Sequence, residues 1–138
     1  QMQCFPRIAL SNIALISQKL KDSLNISTAN LMHNFDALIT DYSAAYHEFL
    51  LLDRPIALSV DDYEEYKLKI GFYYDYRDFI RGVYLNDVQS LLRFIDEITD
   101  GVDSARDARH ISMHKIHDHI DNKSTERVVN LIATKVGL

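Results

Sequence analysis

The chain has 138 residues, 47% of them hydrophobic, and a formal net charge of −5, so it is long enough for one ordinary globular domain and too short for two good ones. It carries no long basic run, which excludes nucleic-acid binding through a broad positive face. The single cysteine, Cys4, excludes an internal disulfide framework and fits a reducing compartment, while no apolar run approaches the roughly 18 residues that span a bilayer. The first residues lack the charged-then-apolar pattern of a secretory leader, so cytosolic residence is the expectation, with any membrane attachment through another segment.

In chain order, Gln1-Met2-Gln3-Cys4-Phe5 reads as a weak strand cut into and ended by Pro6, which supplies no ladder donor. The chain is therefore expected to be the end of a larger polypeptide, with residues 1–138 forming one truncated domain. Ile8, Ile13, Ile16, Leu20 and Leu24 recur at spacings of three to five, with Lys19 and Lys21 at the far end, which predicts a helix over 9–23. Ser27 or Thr28 then caps a short helix over 29–34.

The run from Phe35 to Leu52 changes period in its middle. Ala37 to Ile39 form a short apolar burst of strand character, and after Thr40-Asp41-Tyr42 the apolar positions Ala45, Phe49 and Leu52 follow at helical spacing. Ser43 is placed as the N-cap of that helix. A strand feeding a helix through a hydroxyl-bearing turn leaves N–H groups free to meet a phosphate. Glu48 lies about one and a half turns past the cap, where a carboxylate can accept from sugar hydroxyls. His47 is turned about 100° from Glu48 around the helix and reads as structural.

Asp53-Arg54-Pro55 closes the helix, and Ile56 to Val60 alternates as a second, parallel strand, so that strand, helix and strand form a crossover unit with its ligand edge at Thr40 to Ser43. Residues 61–78 are acidic and rich in tyrosine. They can wall a sugar or nucleotide, or lie at the surface with the rings partly packed on the sheet and the hydroxyls wet. Asn86-Asp87 caps a helix over 88–99 with Leu91, Leu92, Ile95 and Ile98 on one face, and Asp100-Gly101 stops it. Residues 104–120 hold Arg106, Arg109, His110, His114, Lys115, His117 and His119. Two histidine pairs there have zinc-ligand spacing, but without an HExxH pattern or a cysteine the cluster reads as a solvated helix face, and no metal is expected. Asp121-Asn122 breaks that helix, and Ser124 or Thr125 caps a last one to about Lys135, with mixed faces suited to lying against the sheet.

Four stretches taken together resemble a known family. Leu38-Ile-Thr-Asp-Tyr-Ser-Ala-Ala-Tyr-His-Glu-Phe49, Leu51-Leu-Asp-Arg-Pro-Ile56, Asp62-Tyr-Glu-Glu-Tyr66 with Gly71-Phe-Tyr-Tyr-Asp-Tyr76, and Asp121-Asn-Lys-Ser-Thr-Glu-Arg-Val-Val129 are similar, in this order, to motifs in the C-terminal half of the CDP-glycerol glycerophosphotransferases, the teichoic acid and capsule polymerases. The resemblance implies an α/β fold, a Rossmann-like parallel sheet flanked by helices, as part of the C-terminal domain of a glycosyltransferase-B (GT-B) type enzyme. It implies a CDP-glycerol or similar nucleotide-activated donor, a polyol-phosphate or glycan acceptor, a missing N-terminal domain carrying the acceptor site and catalytic histidine, and work at the inner face of the cell membrane. No cofactor is implied.

Carried over by position, Ser43 and the Ala44 N–H hold the diphosphate, Glu48 accepts from the ribose, and Thr40 and Asp41 shape the turn. Three departures stand out. Phe5 takes the place of a phosphate-handling histidine, Ala44 that of a second serine, and Phe79-Ile80-Arg81-Gly82-Val83 lacks two prolines, so that this turn is expected to be looser. No general base can be named among these residues. Two alternatives stay open: a nucleotide-sugar glycosyltransferase for surface polysaccharide, or a non-catalytic, degenerate interaction module.

Overall fold

The computed structural model describes residues 12–137. The expected strand at the start, with the phosphate-contact position Phe5, lies outside the described residues. Three short parallel strands, β1 (Leu38–Thr40), β2 (Ile56–Leu58) and β3 (Val83–Tyr84), form one sheet in the order β1-β2-β3. β1 pairs with β2 from Leu38 against Ile56 to Thr40 against Leu58, and β2 with β3 through Ala57 against Val83. The α/β class expected from the sequence is what forms.

β2 does not alternate, because all three of its residues are buried. A central parallel strand is covered on both faces and reads as a continuous apolar run. β3 was missed in the sequence, where residues 79–83 read only as a turn: two residues give no period.

The helices before the sheet are α1 (Gln18–Leu24), capped by Ser17, and α2 (Thr28–Met32), capped by Ser27. α1 is shorter than the spacing predicts. Ile13, Leu15, Ile16, Leu20 and Leu24 are all exposed, so no core face recruits the residues before the Ser17 cap into helix.

α3 (Ala45–Leu50) crosses from β1 to β2 and buries Tyr46, Phe49 and Leu50 against the sheet. α4 (Tyr63–Lys69) and α5 (Tyr76–Phe79) occupy the tyrosine-rich stretch between β2 and β3. These two were not legible, since their buried residues, Tyr63 and Tyr76, anchor single turns and do not repeat.

After the sheet, α6 (Val88–Thr99) forms over the predicted span, with a capping box in which Asp87 accepts from the Ser90 N–H. Its inner face is set by Ser90 and Phe94, both buried, whereas Leu92 and Ile95 face water. α7 (Arg106–Ile116) packs on α3 and α5. α8 (Ser124–Val136) buries no residue, so it does not lie against the sheet as its sequence proposes. The core runs through Met32, Tyr46, Phe49, Leu50, Ile56, Leu58, Tyr63, Tyr76 and Ile80.

Candidate functional site

The turn leaving β1 is built from its own polar atoms. The Asp41 carboxylate accepts the Ser43 N–H at 3.0 Å, an Asx turn that reverses the chain. Tyr76, buried in the core, donates its hydroxyl to the Asp41 carbonyl at 3.2 Å and fixes the turn to α5. Ser43 does not stand at the N-cap. Ala44 does, and the Ser43 hydroxyl accepts the Ala45 N–H at a long 3.3 Å. α3 has only six residues, so few peptide dipoles add along it. The turn's hydroxyl and N–H groups, not a macrodipole, are what it offers a ligand.

Around this turn the tyrosines assemble a wall. Tyr42 stacks on Tyr66 with centroids 3.9 Å apart and meets Tyr76 edge-on at 5.4 Å. Phe72 lies between 4.9 and 5.5 Å from Tyr42, Tyr63, Tyr66 and Tyr76. The Tyr42 hydroxyl donates to Asp62 at 2.8 Å. Burial, and then the Asp62, Asp61 and Asp41 carboxylates, push that hydroxyl above its ordinary range, so it stays a donor. The reading of the tyrosine stretch as a surface segment with its rings partly packed holds for part of it: Tyr73 is fully exposed, whereas Tyr63 and Tyr76 are core.

Two spaces share this wall at the carboxyl end of the strands, the edge where ligands sit in parallel α/β sheets. The first is a cavity of about 180 Å³ bordered by Asp41, Ser43, His47, Tyr73 and Tyr74, among others. The second is a more open groove of about 640 Å³ bordered by Thr40, Asp41, Ser59, Asp61 and Asp62. Asp41, Tyr42 and Tyr66 border both. The cavity is walled mainly by aromatic rings, with Asp41, Ser43 and His47 as its other polar side chains and no lysine or arginine; the groove is acidic, suited to hydroxyl and amino donors and hostile to phosphate.

Of the residues singled out in the sequence, Thr40, Asp41 and Ser43 come together here, and the Ala44 backbone follows at the head of α3. Glu48 is exposed on α3 and borders neither space. Its neighbour His47, read as structural from its position, borders the cavity and shares a 2.9 Å hydrogen bond with the Tyr74 hydroxyl. Asp61 and Asp62, from the acidic stretch read as able to wall a sugar or nucleotide, border the groove; Ser59 was passed over, although its place just after an apolar run is the signal that could have found it.

The histidine-rich stretch is a solvated face only in part: Arg106, His114, Lys115 and His119 are exposed, Arg109 is buried, and His110 and His117 are half-buried. Arg106, Arg109 and His110 of α7 converge on Asp53, and His117 meets the His47 carbonyl at 3.0 Å. The spacing of 106, 109 and 110 already put those three groups on one side.

Residues 11–134 match the family described as CDP-Glycerol:Poly(glycerophosphate) glycerophosphotransferase. The chain is 36% identical over 110 residues to the teichoic acid ribitol-phosphate primase of Bacillus spizizenii, covering 78% of this chain and 27% of that protein. It is 36% identical over 100 residues to the teichoic acid poly(ribitol-phosphate) polymerase of the same organism, covering 70% and 15%. To the teichoic acid glycerol-phosphate transferase of Staphylococcus aureus it is 28% identical over 98 residues, covering 70% and 25%. The chain thus spans about a quarter or less of the length of these relatives.

Proposed function

The chain belongs to the CDP-glycerol:poly(glycerophosphate) glycerophosphotransferase family, and from that premise we propose that it is the donor-binding part of a transferase that moves glycerol phosphate from CDP-glycerol to a teichoic-acid-like or capsular polymer. Residues 1–138 are one nucleotide-binding domain of GT-B type. An acceptor hydroxyl attacks the phosphorus that bears the glycerol, the bond to the CMP oxygen breaks, and CMP leaves. The base that takes the hydroxyl proton, and the segments that meet the membrane, are assigned to other parts of the protein. Among the described residues no helix is long and apolar enough to cross a membrane.

One observation carries this reading: the turn after β1 borders at once a partly enclosed, aromatic-walled cavity that Ser43 and His47 also line and a more open acidic groove. A nucleotide with a charged phosphate linker and a hydroxyl-bearing pentose needs both environments side by side. The Ser43 hydroxyl and Ala44 N–H serve the phosphates, and Thr40 and Asp41 shape the turn. Glu48 borders neither space, so the pentose contact that the family resemblance assigns to it requires the pentose to reach past both onto the exposed face of α3.

Calorimetric titration of the chain with CMP tests the assignment. Measurable heat is expected, with Ser43→Ala weakening the affinity about three- to tenfold, as for loss of one hydrogen bond to a charged group. No heat at millimolar CMP overturns it. Glu48→Ala is expected to erase the preference for CMP over its 2′-deoxy form. The identity with two ribitol-phosphate enzymes supports CDP-ribitol as a second donor reading. A panel of CDP-glycerol, CDP-ribitol and a UDP-sugar separates these from the nucleotide-sugar alternative.

A further inference from the structure

We propose that His47 is the group in the cavity that contacts the nucleotide's phosphate, donating from Nδ1–H to a phosphoryl oxygen while the Tyr74 hydroxyl holds its other ring nitrogen. The inference rests on the donor-binding reading above and deepens it.

An oxyanion placed in this cavity finds no lysine or arginine on its wall. The one anionic side chain there, Asp41, turns its carboxylate to the Ser43 N–H at 3.0 Å. His47 is then the sole bordering side chain that can carry positive charge or offer a ring N–H. Its Nε2 lies 2.9 Å from the Tyr74 hydroxyl, and Nδ1 has no protein partner among the described residues. Burial, and then the nearby Tyr46, raise the Tyr74 hydroxyl above its ordinary range, so it keeps its proton. With that hydroxyl as the donor to Nε2, the neutral ring carries its proton on Nδ1, and in the protonated ring Nδ1 is a donor as well. The backbone that carries the ring is tied as well, because His117 meets the His47 carbonyl at 3.0 Å. A donor whose other ring nitrogen is already held loses little freedom on binding.

Asparagine places its amide near the Nδ1 position of a histidine, and glutamine near Nε2. This separates phosphate contact from a role exerted through Tyr74. CMP and cytidine are titrated against the wild-type chain and both variants, with folding checked by circular dichroism. The expected result is that wild type prefers CMP to cytidine, that His47→Gln weakens CMP about tenfold with cytidine unchanged, and that His47→Asn keeps most of the preference. CMP binding by His47→Gln equal to wild type overturns the inference, as does a parallel loss of CMP and cytidine affinity. Should a variant fail to fold, the His47 ring 15N resonances of the wild type decide: they are expected to move on adding CMP and stay still with cytidine, and equal behaviour overturns the inference. A wild type that binds neither ligand sinks the donor site itself, a result distinct from binding in which His47 takes no part.

Discussion

Tyr46 shows how much one side chain decides. It is 1% exposed, and its hydroxyl both donates to the Arg81 carbonyl at 2.8 Å and accepts the Arg81 N–H at 2.9 Å. The turn before β3 is therefore clamped, not loosened by the absence of prolines. Tyr46→Phe leaves two backbone groups without their partner and is expected to lower stability by about 1–3 kcal/mol in a urea titration. Gly82 in the same turn has a different constraint. A Cβ there would sit 2.6 Å from the Ile56 carbonyl oxygen, so Gly82→Ala must push β3 away from β2. The expected cost is about 1–3 kcal/mol, seen as a lower denaturation midpoint. Glycine in the sequence announced a turn, but its reason is an approach between strands 26 residues apart, which no local pattern carries.

At the scale of elements, the docking of α7 hangs on the turn between α3 and β2. Asp53 sits there with φ 48° and receives Arg106 at 2.9 Å, His110 at 2.9 Å and Arg109 at 3.3 Å. Arg109 is 1% exposed and also forks onto Asp103 at 2.6 and 2.7 Å, the planar geometry that makes a buried arginine tolerable. Burial alone would raise the Asp53 carboxyl, but hydrogen bonds from Arg106 and His110 outweigh it and hold it below its ordinary value. A carboxyl lowered in the folded state adds stability above its unfolded pKa of about 4 and loses it as pH falls through the folded value. Amide exchange in α7 is thus expected to rise relative to β2 below about pH 4, and Asp53→Asn should remove that step. Asparagine tolerates the left-handed backbone, so the variant tests the charge and not the turn. The effect is modest, because Asp53 is about one third exposed.

Across the whole molecule the helices divide by what they cover. α3 closes the sheet and frames the cavity, whereas α8 leaves Val128, Val129, Leu131, Ile132 and Val136 exposed. Removing residues 122–138 is expected to shift the thermal midpoint by no more than about 2 °C, and a larger fall would mean that α8 supports the core. Much of this was legible beforehand. The change of period from Leu38-Ile39 to Ala45-Phe49 gave strand, turn and helix, and Asp87 with Ser90 and Asp100-Gly101 marked both ends of α6, because caps and periods are local. The inner face of α6, the strand at Val83-Tyr84 and the docking of Arg109 were not, since each depends on what another part of the chain presents. The sequence by itself determined the α/β class, the family and the turn at Thr40 to Ser43. Only the tertiary structure decided that His47, and not Glu48, borders the cavity: a helix position fixes an angle about its own axis, and the Tyr74 loop packed beside it chooses which angle faces inward.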